Sequence, residues 1–81
     1  MMRVTIARRH FYFHPAEVEK AMNGVAPEPV TGGSVDIGGV RYPLMQVGAV
    51  ITRQDRRDFN AGEVQRAMQA LGFPLHAATS Q

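Results

Sequence analysis

Cysteine and tryptophan are absent from these 81 residues, lysine occurs once, and aromatic residues make up only 7%. Without cysteine there is no disulfide framework and no thiolate metal site, so packing, or packing with self-association, must hold the chain together. Long hydrophobic runs are also missing. The longest, Val47 to Ile51, falls far short of the roughly 20 apolar residues that cross a bilayer. The opening MMRVTIARRH carries no apolar core of signal-peptide length. The chain therefore reads as neither secreted nor membrane-spanning, and the cytoplasm is the compartment that fits.

Catalytic signatures are equally scarce. The glycine pairs Gly32-Gly33 and Gly38-Gly39 lack the Lys-Ser/Thr of a phosphate-binding loop and the spacing of a dinucleotide fingerprint. No Gly-x-Ser-x-Gly elbow is present, and no serine has a partnered histidine in any recognisable pattern. His10 and His14 stand four apart, but Pro15 pushes His14 out of helical geometry and no third ligand is near in sequence. No catalytic residue, metal ligand set or cofactor is expected, and the chain is not expected to be an enzyme.

What is present specifies a small folded domain. Hydrophobic residues make up 44% and charged residues 20%, close to the globular average. A chain of this length buries roughly 60 to 65% of its unfolded surface, which leaves a thin margin of stability. Residues 1–74 read as one compact domain and residues 75–81 as a flexible tail. The net charge is only +2, yet eight of the nine bases are arginine, the side chain suited to planar pairing with carboxylate or phosphate. Arg3, Arg8 and Arg9 precede the first acid, Glu17, while Arg53, Arg56 and Arg57 cluster before the last helix. The two groups are able to meet on one face.

Residues 2–8 alternate polar with apolar and predict a strand with Val4 and Ile6 on one side. Arg8 to His14 fits either more strand or an extended lead into a helix. Pro15 suits a first helical position and Glu17 its first turn, so a helix runs to about Asn23, stopped by Gly24. Ala26 to Gly33 is a broken surface loop. Val35-Asp36-Ile37 and Val40-Arg41-Tyr42 flank the Gly38-Gly39 turn of a hairpin, pairing Val35 with Tyr42, Asp36 with Arg41 and Ile37 with Val40. Residues 44–52 fit either period, and Pro43 tips them to a helix from about Pro43 to Arg53.

The last helix is the best specified. Asn60 caps it, Glu63 closes a capping box, Phe59 staples against Val64, and Gly72 with Phe73 forms the C-terminal Schellman arrangement before Pro74. Phe13 to Met22 and Phe59 to Met68 match in several positions, which fits an internal duplication or two helices obeying the same capping rules. The predicted architecture is α+β, in the order β-α-β-β-α-α, with a three-stranded antiparallel sheet built from residues 2–8 and the hairpin and covered by helices.

Arg8-Arg9-His10-Phe11-Tyr12-Phe13 mixes guanidinium groups with aromatic faces, the combination that holds phosphates and stacks unpaired bases. The same segment also fits a core role for Phe11 and Phe13, with the arginines in solvent. Ile37 to Phe73, about half the chain, resembles a pattern found in DNA-recognition domains of bacterial modification-dependent restriction systems. In that pattern an apolar step leads to Tyr-Pro-x-Lys, an apolar helix, a loop, Phe, and a helix ending Leu-Gly-Phe. Here it is carried by Tyr42, Pro43, Phe59, Leu71, Gly72 and Phe73, with Met45 in place of the lysine. The resemblance implies that Tyr42 and Pro43 lie where such domains contact DNA.

Together these readings predict a small non-enzymatic DNA-binding or DNA-associated accessory protein. Arg8, Arg9, Arg53, Arg56 and Arg57 would lie on phosphates and Tyr42 near a base or sugar. The alternative is a protein-interaction module or homodimer whose interface is Phe11, Tyr12 and Phe13, without nucleic acid.

Overall fold

The first two strands, β1 (Met2–Ile6) and β2 (Arg9–Phe13), form a hairpin that the sequence does not announce. Their register pairs Val4 with Phe11 and Ile6 with Arg9, leaving Ala7 and Arg8 as the two turn residues. Both are left-handed, with φ of 55° and 63°, as a two-residue hairpin turn matching the strand twist requires. Neither is glycine, asparagine or aspartate, the residues that adopt this conformation at low cost. A computed structural model describes residues 2–77 of the chain.

Alternation along the hairpin gives it two faces. Val4 and Ile6 are buried, and Phe11 and Phe13, half-buried on β2, stack with ring centroids 5.7 Å apart. Arg3, Thr5, His10 and Tyr12 are exposed, and Arg3 lies directly across from Tyr12.

Helix α1 (Pro15–Met22) starts where Pro15 predicts. His14 is its cap: Nδ1 accepts the Ala16 amide at 3.1 Å, and Glu17 Oε1 accepts the His14 amide at 2.8 Å. Val18 and Met22 carry its buried stripe.

β3 (Ser34–Ile37) and β4 (Val40–Pro43) pair as expected, Val35 with Tyr42, Asp36 with Arg41 and Ile37 with Val40. Gly38 and Gly39 supply φ of 60° and 81° at the turn. α2 (Leu44–Thr52) follows at once, with Pro43 as N-cap and Arg53, at φ 57°, as a left-handed C-cap. A single 3-10 turn, Arg56–Asp58, leads to α3 (Ala61–Leu71). There Asn60 Oδ1 accepts the Glu63 amide at 3.0 Å and Glu63 Oε2 accepts the Asn60 amide at 2.9 Å, the reciprocal box that the sequence spells out. At its far end the Phe73 amide bonds the Met68 carbonyl and the Gly72 amide that of Gln69, which is the Schellman geometry.

The class is α+β, with one two-stranded and one three-stranded antiparallel sheet. The third strand of the larger sheet is not residues 2–8 but β5 (Leu75–His76), which pairs with β3 through Val35–Leu75 and Ser34–His76. The Schellman cap turns the chain back, and the Asp36 amide donates to the Pro74 carbonyl at 3.0 Å, so the slot beside β3 is filled from the C-terminal side. β1 instead pairs with β2 and packs on α3. The first part of the predicted tail is thus a strand; its residues 78–81 lie outside the described ones.

The core is shared by all layers: Val4 and Ile6 from β1, Val35 and Ile37 from β3, Leu44 and Val47 from α2, Val64 and Met68 from α3. A hairpin followed by a helix occurs twice, as β1-β2-α1 and β3-β4-α2. The likeness between α1 and α3 lies at their capping boxes. No helix among the described residues is long and apolar enough to cross a membrane.

Candidate functional site

Three of the seven acids are held in ion pairs. Glu28 takes a two-pronged fork from Arg56, at 2.8 and 2.6 Å. Asp55 takes Arg57 Nε and Nη2 at 3.2 and 3.1 Å, and its Oδ1 also accepts the Arg57 amide at 2.8 Å. Asp36 meets Arg41 at 3.3 Å and His76 at 2.9 Å. These partners hold all three carboxyls below their ordinary range, through the hydrogen bond from Arg56 at Glu28, from Arg57 at Asp55, and from His76, then Arg41, at Asp36. Glu17 and Glu63 are spent on backbone amides. Arg3, Arg8, Arg9, Lys20, Arg53 and Arg66 have no carboxylate within 4 Å among the described residues.

Two of the arginines without a carboxylate partner come together. Arg8 and Arg9, from the first turn, line one groove of about 820 Å³ together with Gln54, Arg57, Asp58 and Asn60. Arg8 and Arg9 thus share a surface with Arg57, far from them in sequence. Ala7 and Glu63 form its seam, where the Ala7 amide donates to Glu63 Oε1 at 3.2 Å. Phe59 closes the floor, buried against the core. A second, smaller groove between β1 and α3 is lined by Arg3 and Arg66. Since β1 extends away from the Ala7-Arg8 turn by roughly 3.3 Å per residue, arginines mark both ends of the hairpin's junction with α3.

Every non-glycine residue with positive φ among the described residues, Ala7, Arg8 and Arg53, lies in the groove wall or next to it, Arg53 adjoining Gln54. Each such residue costs about 1–2 kcal/mol of backbone strain. Gln54 adds a second cost: its Oε1 is buried without a hydrogen-bond partner.

Two expected contact residues are used elsewhere. Tyr42 is 3% exposed, and its hydroxyl faces the Met22 and Val25 carbonyls at 3.0 and 2.9 Å, a core bond that ties β4 to the end of α1. It is not available at a surface. Arg56 is forked to Glu28, pinning the 26–33 loop, which Gln46 also holds by accepting the Glu28 amide and donating to the Ala26 carbonyl. Arg56 does not line the groove. Of the expected interface segment, Phe11 and Phe13 are largely inside, while Tyr12 stands 61% exposed beside Arg3.

Sequence reasoning missed Gln54, Asn60 and Glu63 as groove residues and Gln46 as a loop clamp. Only Gln46 left a signal, as a polar side chain among the apolar positions of α2. His10 Nδ1 lies 3.1 Å from Thr5 Oγ1, and His14 serves as a cap.

No curated protein and no solved structure matches the chain. A family model described as SCO5918-like matches residues 2–81.

Proposed function

The chain belongs to the SCO5918-like family, and we propose that it is a small non-enzymatic DNA-binding accessory protein that uses the tip and outer face of its first hairpin. One observation carries this reading: Arg8 of the strained turn and Arg9, the first residue of β2, line the same groove as Arg57. Local strain of this kind persists where the surrounding structure holds it, and it clusters at sites that bind. Arg53 precedes Gln54 of the groove in the chain, and the exposed pair Arg3 and Tyr12 lies on the outer face of the hairpin. Guanidinium groups on phosphates supply affinity, and an exposed aromatic ring supplies a stacking face.

The test is fluorescence anisotropy with labelled duplex and single-stranded oligonucleotides across a salt series. Three to four phosphate contacts give a log-log slope of roughly −3. The double substitution Arg8→Ala and Arg9→Ala is expected to reduce that slope by about 2 and weaken binding to every sequence alike. Absence of binding at low salt, or binding indifferent to the double substitution, overturns the proposal.

The exposure of Tyr12 also supports a second reading, a protein-interaction surface on the hairpin. A salt-insensitive dimer in light scattering, abolished by Tyr12→Ser, would favour it over DNA.

A further inference from the structure

We infer that the groove between the first turn and the start of α3 receives a single unpaired nucleotide, an inference that rests on the DNA-binding reading above. The groove is mixed rather than purely basic. Arg8, Arg9 and Arg57 offer donors, whereas the Asp58 carboxylate and the unpartnered Gln54 Oε1 offer only acceptors. A bare phosphate satisfies the first set and is repelled by Asp58. A nucleotide satisfies both, its phosphate against guanidinium groups and the N–H donors of its base against the acceptors.

The volume, about 820 Å³, lies within the range of roughly 300–1,000 Å³ typical of sites for small organic ligands. Paired bases keep their hydrogen-bonding edges turned to each other, so a duplex lays only its backbone across such a groove. An unpaired base brings its Watson–Crick edge inside, as single-strand readers require. Gln54 is the discriminating residue. Its oxygen is closed off from solvent and unsatisfied without ligand, and a base N–H completes it once the side chain, which lines the groove, turns that oxygen outward.

The experiment compares four probes by anisotropy at fixed salt: a duplex, the same duplex with one unpaired nucleotide, that duplex with an abasic site at the unpaired position, and a single strand. Probes bearing an unpaired base are expected to bind about tenfold tighter than the duplex and the abasic probe, the scale of one well-made hydrogen-bonding contact. Gln54→Leu is expected to erase that tenfold preference, so that all four probes bind alike. Equal binding of all four probes by the wild-type protein, with Arg8→Ala still weakening each, overturns the nucleotide inference and leaves DNA binding standing. No binding by any probe overturns both. Because Gln54→Leu removes a buried polar atom, its unfolding midpoint is measured alongside. Should that variant fold poorly, Gln54→Glu serves instead: it keeps an acceptor and is expected to retain the preference, and its loss there also overturns the inference.

Discussion

Glu63 bonds two backbone amides from opposite sides of the groove: Oε1 accepts from Ala7 at 3.2 Å and Oε2 from Asn60 at 2.9 Å. The same carboxylate thus closes the α3 capping box and holds the left-handed turn that presents Arg8. Losing the bond to the Asn60 amide costs about 1 kcal/mol, and the turn amide adds about 1 kcal/mol more, while the Asn60 side-chain cap on the residue-63 amide is kept. Glu63→Ala is therefore expected to destabilise by about 2 kcal/mol. Glu63→Gln, with one acceptor oxygen left, should lose about half of that. Urea unfolding midpoints for the two variants check the order, and equal midpoints for Gln and wild type would show that the Ala7 bond contributes nothing.

Gly48→Ala sets two effects against each other. In an exposed helix interior the change adds up to about 1 kcal/mol of stability. Here an added Cβ would lie 2.6 Å from both Phe59 Cε2 and Val64 Cγ2, and both neighbours are buried. Overpacking costs about 1–3 kcal/mol, so the clash wins. A fall in melting temperature is expected, together with a disturbed groove floor, since Phe59 forms part of it. A rise in melting temperature would mean that α2 and α3 move apart freely.

Tyr42→Phe separates a core role from a contact role. Its hydroxyl has one buried and one partly buried carbonyl neighbour, and leaving them without a donor costs about 1–2 kcal/mol. Stability should drop by that amount while oligonucleotide affinity, measured where both proteins are folded, stays the same. An affinity loss without a stability loss would return Tyr42 to the contact surface.

Tyr42 also illustrates where the sequence stops being legible. The second hairpin and α3 are written locally, in Gly38-Gly39, Asn60, Glu63 and Gly72, and each does what its local chemistry dictates. The first hairpin is hidden because Ala7 and Arg8 carry no turn signature; their left-handed geometry is held by Glu63, 56 residues away. β5 is two residues long and exists because a slot beside β3 is open, which no local pattern encodes. Arg56 and Tyr42 look free in sequence because the partners that occupy them, Glu28 and the carbonyls of Met22 and Val25, are 17 to 28 residues distant. Of the two arginine groups, Arg8 and Arg9 of the first and Arg57 of the second line one groove, while Arg56 is drawn off to Glu28. The chemical detail of that groove, Gln54 and Asp58 beside the arginines, required the fold.

Acid should act on this protein through Asp36, Glu28 and Asp55. Each carboxyl is held below its ordinary value by hydrogen bonds, from His76 and Arg41, from Arg56 and from Arg57 respectively. With the folded value lower than the unfolded one, the unfolded chain binds protons first as pH falls, so protonation favours unfolding. Their contribution is fully present above the unfolded carboxyl value of about 4 and is lost as pH falls through the lower folded values. All three pairs are solvent-exposed, and salt weakens them. Stability measured by urea titration should therefore be insensitive to these groups above about pH 5 and decline below about pH 4, with a shallower decline at high salt. Asp36→Asn is expected to flatten part of that decline and to loosen β5, because Asp36 Oδ2 is the partner that faces His76 Nε2 at 2.9 Å. The same nitrogen lies 3.1 Å from Arg41 Nη2, and it either donates to Asp36 or accepts from Arg41, never both at once. In Asp36→Asn one amide oxygen remains to accept from His76, but the negative charge that strengthens the bond is gone. Amide exchange at Leu75 and His76 reads this directly: faster exchange in Asp36→Asn supports the linkage, and unchanged exchange assigns β5 to its backbone pairing with β3 alone.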